Sequence, residues 1–455
     1  QLAGSAQLHW AGGQPLGGRA DLRLQAPGLS ATAQGELQAA RGAGTLNVNL
    51  ADAARALAWL RQLPGASAPL AGVQAGGSAT LDGRWRGGWR DPEVHARLNA
   101  PRLSVSAGSQ PAVVAHPLAL TLDGSLAQAQ LALAAQLTQG PRTLDLQAAA
   151  SGGRSTPTAP LAASSWHAAI SQLQARVHDP ALGPGAWRIA SRSAIALRWA
   201  PSQGGQFEAS AGTLSVNSPA PSAQALIDWG PLAWRAGELT STGGITGLPL
   251  QWAQRLAGAP ATPDARLSGN VLLDGHWDAA LGRSLRVQAE LARASGDLSL
   301  NATDPDTGVQ TRVAAGLRQA RLQLTSDGRA LNLQAQWDSQ HAGQLDARLR
   351  TELASTTDPA GRTHWSWPAS APLQGQVQAR LPQIAAWSAL APPGWRLRGA
   401  LALDARVAGT RGAPQLSGTA AADDVALRSV VDGIQFEGGR LRARFQDTRL
   451  VIDEF

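Results

Sequence analysis

Apolar and polar residues alternate along most of this chain with a period of two. Leu22, Leu24 and Ala26 alternate with Asp21, Arg23 and Gln25, and Leu46, Val48 and Leu50 with Asn47 and Asn49. Leu331, Leu333, Ala335 and Trp337 are interleaved with Asn332, Gln334 and Gln336. Leu345, Ala347 and Leu349 alternate with Asp346, Arg348 and Arg350, and Leu441, Ala443 and Phe445 with Arg442, Arg444 and Gln446. In an extended chain, residues i and i+2 point to the same side, so each run predicts a strand with one greasy face and one hydrated face.

Asp-Gly dipeptides lie between or beside these runs, at Asp82-Gly83, Asp123-Gly124, Asp274-Gly275, Asp327-Gly328 and Asp432-Gly433. They read as tight hairpin turns, because a two-residue turn needs positive φ, and so predict antiparallel neighbours. Three segments have a helical spacing instead: Asp52 to Leu63, Pro249 to Ala257 and Pro382 to Ala391. Each is followed by Pro or Gly, and the last two open on the proline that suits a first helical position. Downstream of the first two, Gly77 to Trp85 and Gly269 to Trp277 share the pattern G-x-x-x-L-D-G-x-W, and Gly399 to Val407 is related. Repeats at irregular intervals indicate units that bury their apolar sides against neighbours. The expectation is an all-β fold, a long single curled sheet of mostly antiparallel strands, open like a trough, with a few short helices. It forms one continuous array over 1–455 with sub-repeats at 1–150, 166–354 and 373–455, loops at 151–165 and 355–372, and a further loop at Ser218 to Ser222.

Composition narrows the chemistry. With Gly 50 and Pro 28 among 455 residues and only 16% charged, long amphipathic helices cannot dominate. Cysteine is absent, which removes disulfides, thiolate metal sites and cysteine nucleophiles. All 39 Lys+Arg residues are Arg, which removes Walker A loops, Schiff bases and Ser–Lys dyads. The formal charge of +7 is spread among Asp, Glu and Gln, as on a solvated strand face and not a nucleic-acid patch. Methionine is absent even at position 1, so the residues are expected to be a segment or a processed product. No run of 18 apolar residues predicts a membrane-spanning helix.

The 8 histidines are scattered without an H-x-x-x-H or H-E-x-x-H pair, so no metal is implied. Asp304-Pro-Asp306-Thr-Gly308 opens like a calcium loop, but the remaining ligands do not follow, and a turn is expected. No nucleophile elbow or phosphate loop is present. The chain is expected not to be an enzyme and to need no cofactor. Tryptophan supplies 16 of the aromatics, including the pairs Trp85/Trp89, Trp229/Trp234 and Trp365/Trp367, which suits sheet packing and strand ends.

Near the C-terminal end, Leu381-Pro-Gln-Ile-Ala-Ala-Trp387, then Gly394 to Gly399, Gly409-Thr410, Pro414 and Gly418, then Asp432-Gly433-Ile434 and Gly439-Arg-Leu-Arg-Ala, resemble the TamB family of translocation and assembly proteins. The related AsmA-like bridge proteins share the texture of the remaining chain. The resemblance implies a periplasmic protein held to the inner membrane by an N-terminal helix outside this segment. It implies a contact with an outer-membrane barrel partner, TamA, and an apolar channel serving phospholipid transfer and outer-membrane protein assembly. On that reading Pro382, Trp387, Gly399, Gly409, Thr410, Pro414, Gly418, Asp432 and Gly433 are structural family positions. The groove-lining candidates are Leu22, Leu24, Leu46, Val48, Leu50, Leu131, Leu133, Leu331, Leu333, Ala335, Leu345, Leu349, Val377, Leu381, Leu441 and Phe445. The partners expected are phospholipids and, with them, outer-membrane protein substrates, but no nucleic acid. The alternative is a chaperone-like scaffold that holds unfolded barrel or autotransporter strands by edge pairing without moving lipid.

Overall fold

A computed structural model of the chain describes residues 2–454, apart from 12–13, 64–69, 71, 89–90, 109–110, 156–163, 202–204, 220–222, 253–267, 304–309, 359–362, 385–394, 430–433 and 448. It divides into two units, Gln1–Ala223 and Gln224–Phe455, with the division beside the Ser218 to Ser222 stretch. Each unit is antiparallel β.

In the first unit the strands are β1 (Leu2–Ala11), β2 (Gln14–Ala26), β3 (Leu29–Gln38), β4 (Gly42–Leu50), β5 (Val73–Arg86), β6 (Glu93–Ala107), β7 (Val113–Ser125), β8 (Ala129–Gln139), β9 (Arg142–Arg154) and β10 (Trp166–His178). They form a meander in which each strand pairs with the next. Beyond β10 the ladder breaks in two. β11 (Trp187–Ser191) and β12 (Ile195–Ala200) pair with separate halves of β10, and β13 (Gln206–Ala209) and β14 (Gly212–Ser218) continue the branches.

Between β4 and β5 the expected first helix forms as α1 (Ala53–Leu60). Its N-cap is Asp52, whose Oδ1 accepts from the backbone N–H groups of Ala54 and Arg55 at 3.0 and 3.1 Å. Ala53, Ala56 and Leu57 are its buried face, packed on β3 and β5.

The second unit holds β15 (Ala223–Trp229), β16 (Leu232–Arg235), β17 (Glu238–Pro249), β18 (Ser268–Gly269), β19 (Leu272–Leu281), β20 (Leu285–Ser295), β21 (Leu298–Thr303), β22 (Gln310–Ala314), β23 (Leu317–Asp327), β24 (Ala330–Ser339) and β25 (Gly343–Glu352). It continues with β26 (Ala354–Thr357), β27 (Thr363–Ser366), β28 (Leu373–Leu381), β29 (Trp395–Thr410), β30 (Ala413–Ser429), β31 (Ile434–Asp447) and β32 (Arg449–Glu454). The main ladder runs β17, β19, β20, β23, β24, β25, β28, β29, β30, β31, β32. Among the described residues neither ladder closes into a barrel: β1 is paired only with β2, and β32 only with β31.

β18, β21 and β22 form a separate small sheet, and each continues into a main-ladder strand across a short break, at residues 270–271, 296–297 and 315–316. Gly296 and Gly316 have φ of +81° and +65° there, conformations that an L side chain rarely adopts. The three aligned breaks make a crease along one rim.

Several expectations change. Asp82-Gly83, Asp123-Gly124 and Asp274-Gly275 are not turns; they lie inside β5, β7 and β19. Only Asp327-Gly328 joins two strands as a turn, with Gly328 at φ +69°, and Asp432-Gly433 lies outside the described residues. Part of the stretch read as a loop at 355–372 is the β26–β27 hairpin, and Ser151 to Arg154 belong to β9. Pro249 ends β17 instead of opening a helix; residues 250–252 are helical, and the rest of that segment and most of the third lie outside the described residues. The physical reason for the glycines within strands is visible at the motif tryptophans. Trp85 stands opposite Gly44, and its ring comes within 2.0 Å of where a Cβ on Gly44 would lie. Trp277 does the same to Gly243, at 2.3 Å. Cross-strand glycines thus clear floor for flat indole rings, and the repeated G-x-W is a packing device. Trp277 Nε1 donates to Ser241 Oγ at 3.0 Å.

Candidate functional site

The registers of successive ladders bring the alternating apolar residues into rows that cross the strands. In the first unit one row runs Leu22, Ala33, Leu46, Gly83, Ala96, Leu122, Leu131, Ala150. The next runs Leu24, Ala31, Val48, Leu81, Leu98, Leu120, Leu133, Ala148. Leu50 pairs with Leu29 and Ala79 in the row beyond. A one-residue slip in any ladder would send its strand's apolar set to the other side, so the unbroken rows require the register to hold throughout.

The second unit repeats the arrangement. Leu324, Leu333, Leu349, Gly375, Val407 and Leu416 are successive partners. So are Leu322, Ala335, Ala347, Val377, Ala405, Gly418 and Phe445. Leu345 stands between Trp337 and Ala379, and Leu381 and Leu441 share a row through Leu401 and Ala422. Leu331 differs: its partners are Ser326 and Thr351, both buried, so it borders a hydroxyl-bearing margin.

The opposite face is polar and ion-paired. Arg19 meets Glu36 at 3.3 Å, Arg318 meets Asp338 at 3.1 Å, and Gln378 Nε2 donates to Asp404 Oδ2 at 3.1 Å. His95 Nδ1 lies 2.8 Å from Asp123 Oδ1 on the same exposed side, a pairing between strands that residue spacing could not reveal. Among the described residues no group of three or more His, Asp or Glu could hold a metal, and no helix is long and apolar enough to cross a membrane. The residues of the calcium-like turn lie outside those described.

Burial distinguishes a groove from a core. A sandwich would press the large aliphatic side chains of the inner face shut. Along β5 to β8 the fully buried apolar residues are all alanines (Ala79, Ala100, Ala115, Ala135), while the leucines beside them remain partly exposed. Leu22 is 38% exposed and Leu322 44%. On β4 the apolar positions are nonetheless half-buried and the polar ones exposed, in strict alternation.

In the first unit this surface holds a groove of about 520 Å³ that crosses from β6 to β13. Val94, Leu122, Leu131, Leu197, Trp199 and Phe207 line it, with Gly124, Ala129, Gly152 and Ala168 among the residues along it. Trp166, Trp199 and Phe207 were not singled out in the sequence. Their one signal is that each stands at an alternating position of its strand.

Of the positions carried by the family resemblance, Gly399 has φ of +120° at a register shift in β29. Gly409, Thr410 and Pro414 form the β29–β30 hairpin end, where Thr410 Oγ1 accepts from Ala413 N at 3.2 Å. Gly418 faces Ala405 at φ +132°, where an added Cβ would lie 2.0 Å from Asp404 O. Pro382 is exposed just past β28, and Trp387, Asp432 and Gly433 lie outside the described residues.

At the crease of the second unit, Val271, Leu273, Leu298, Ala315, Leu317 and Ala342 form a buried cluster, against which Leu248, Leu291, Ala320 and Trp337 pack. Asp297 ties it together. Its Oδ1 accepts from Leu298 N and Leu317 N at 2.7 and 2.9 Å, its Oδ2 from Gly316 N at 2.9 Å, and its own N–H donates to Asn270 Oδ1 at 2.8 Å. Burial alone pushes this carboxyl up, but the three backbone donors and nearby Arg293 outweigh it and hold the carboxyl below its ordinary value of 3.8.

No protein-family model, curated protein or solved structure matches this chain.

Proposed function

We propose that the apolar face is a surface along which hydrocarbon chains travel, and that the protein is part of a periplasmic bridge of the TamB or AsmA-like kind. In this role it carries phospholipid between the inner and outer membranes and thereby supports outer-membrane protein assembly. The observation that carries the reading is the set of in-register rows of partly exposed Leu, Val and Ala, backed by a face of Arg, Gln, Asn and Asp.

The energetics set what such a surface must do. An acyl chain of about 16 carbons costs on the order of 12 kcal/mol to expose to water, at about 0.8 kcal/mol per methylene. A continuous apolar row offsets that cost at every step, while the headgroup stays in solvent. Tight binding at any one point would slow passage, so many weak, similar contacts suit the task better than one strong pocket.

Photoreactive side chains at Leu333 and Leu349 are expected to capture phospholipid in cells, and the same groups at Gln334 and Arg348 are not. Equal capture from both faces would overturn the reading. Capture of unfolded barrel polypeptide without lipid would replace it with the scaffold alternative.

A further inference from the structure

The apolar face of the second unit has a margin that is covered. Ser326 and Thr351 stand near the ends of β23 and β25, on the same side as Leu324 and Leu349, and both are buried. Leu285, on the same side at the start of β20, is buried as well. The cover is the β26–β27 hairpin, placed by the tryptophan pair that the sequence marks. Trp367 Nε1 donates to Thr351 Oγ1 at 2.9 Å, and Trp365 Nε1 donates to Gly282 O, in the turn between β19 and β20, also at 2.9 Å. Between Gly282 and Thr351 lie the start of β20, the end of β23 and the start of β24. A segment that touches both therefore crosses over Leu285 and Ser326.

The hairpin is attached unequally. β26 and β27 pair with each other and form a sheet of their own. On the entering side, Leu353 N donates to Arg329 O at 2.8 Å. On the leaving side, Arg411 N and Gly412 N donate to Ala371 O and Ala369 O at 2.9 and 2.7 Å, and Arg411 Nη1 donates to Trp367 O at 2.5 Å. The Arg411 guanidinium also lies 5.0 Å from the centre of the Trp367 ring, a cation–π contact. Both legs are thus fixed, while the body of the hairpin reaches the main sheet through the indole N–H of Trp365.

We propose that the β26–β27 hairpin is a flap that swings about legs at Leu353 and Trp367 and is latched by the bond from Trp365 to Gly282. Its seat favours opening. Ser326 and Thr351 present hydroxyls, which water serves once the flap lifts, so opening forfeits less apolar burial than a seat of leucines would. Lifting the flap uncovers Leu285 and extends the apolar face to the rim. The proposal goes beyond the conduit reading and stands whether or not lipid moves along that face.

The test uses the full chain, which contains no cysteine, so that Ser326→Cys carries a single thiol beneath the flap. Ser417→Cys, at an exposed position of β30, is the open control. In native buffer the thiol of Ser326→Cys is expected to react with a thiol reagent about a hundredfold more slowly than that of Ser417→Cys. Its rate should stay constant in low urea, because a local opening exposes little surface. Adding Trp365→Phe, which keeps a ring but removes the latching donor, should speed the reaction about tenfold. Adding Asp297→Ala, which weakens the unit at its opposite rim, should leave the rate unchanged. Hydrogen exchange of the unaltered chain serves should Ser326→Cys misfold: the amides of β26 and β27 should exchange at least about a hundredfold faster than those of β23 and β24. Labelling as fast as in the open control, a rate that climbs with urea or with Asp297→Ala, no response to Trp365→Phe, or equal protection of the two pairs of strands would each overturn the flap. Failure of photocapture at Leu333, by contrast, counts against the conduit alone.

Discussion

The two units share one alternating pattern and use it differently. In the first, the leucines in the apolar rows of β5 to β8 stay partly exposed, and the fully buried members are alanines. In the second, strands extend past a crease, and Val271, Leu273, Leu298 and Leu317 close into a true core over Leu291, Ala320 and Trp337. Alternation therefore decides which side is greasy, and the chain beyond the strand end decides whether that side stays open. The crease needs two glycines at positive φ and an aspartate whose carboxylate gathers backbone donors from two breaks while its own N–H reaches Asn270 at the third.

That contrast can be broken by substitution, and the largest effect is expected where closure is complete. Leu317→Ala should cost about 3 kcal/mol in denaturant unfolding of the second unit, because its side chain is buried on all sides. Trp85→Ala should cost about 2 kcal/mol, read as a lowered denaturation midpoint of the first unit, because it leaves the space over Gly35 and Gly44 unfilled. Asp297→Ala should cost about 1 to 2 kcal/mol through loss of its backbone hydrogen bonds. Because the folded carboxyl lies below 3.8, its contribution is fully present above the unfolded value and is lost as pH falls through the lower folded one. Unfolding midpoints of wild type and variant should therefore converge in strong acid. Leu133→Ala, at a partly exposed row position, should cost only about 1 kcal/mol, and a loss as large as that of Leu317→Ala would contradict the open groove. Asp453→Ala should leave the midpoint nearly unchanged, since its pair with Arg444, at 2.6 Å, lies on the solvent-exposed surface.

Much of the architecture was legible before any coordinates, because a period of two is a local property: Leu24, Val48, Leu133 and Leu349 are each marked by their immediate neighbours. Register was not legible, and it is register that makes Leu24 and Leu133 members of one row six ladders apart. The Asp-Gly dipeptides misled because glycine has two uses. At Asp327-Gly328 it turns the chain, but at Gly83 and Gly275 it lies within a strand, two residues before the tryptophan that crosses a neighbour. Asp297 was invisible because its partners Gly316 and Leu317 are about twenty residues away and count only once the crease has formed. Trp166, Trp199 and Phe207 meet at the groove of the first unit through pairings between β10, β12 and β13, which no spacing rule connects.

The unbroken rows have a kinetic consequence. A flexible tail lying along a row meets a fresh strand about every 4.8 Å, and each offers Leu, Val, Ala or Gly in the same place. Its energy therefore ripples gently instead of descending into deep wells. On the proposed conduit reading, travel across the strands would meet only small barriers, whereas slippage along a strand would carry the tail toward the margins. In that role the rows would serve as parallel rails whose direction is laid down by hydrogen-bond pairing itself.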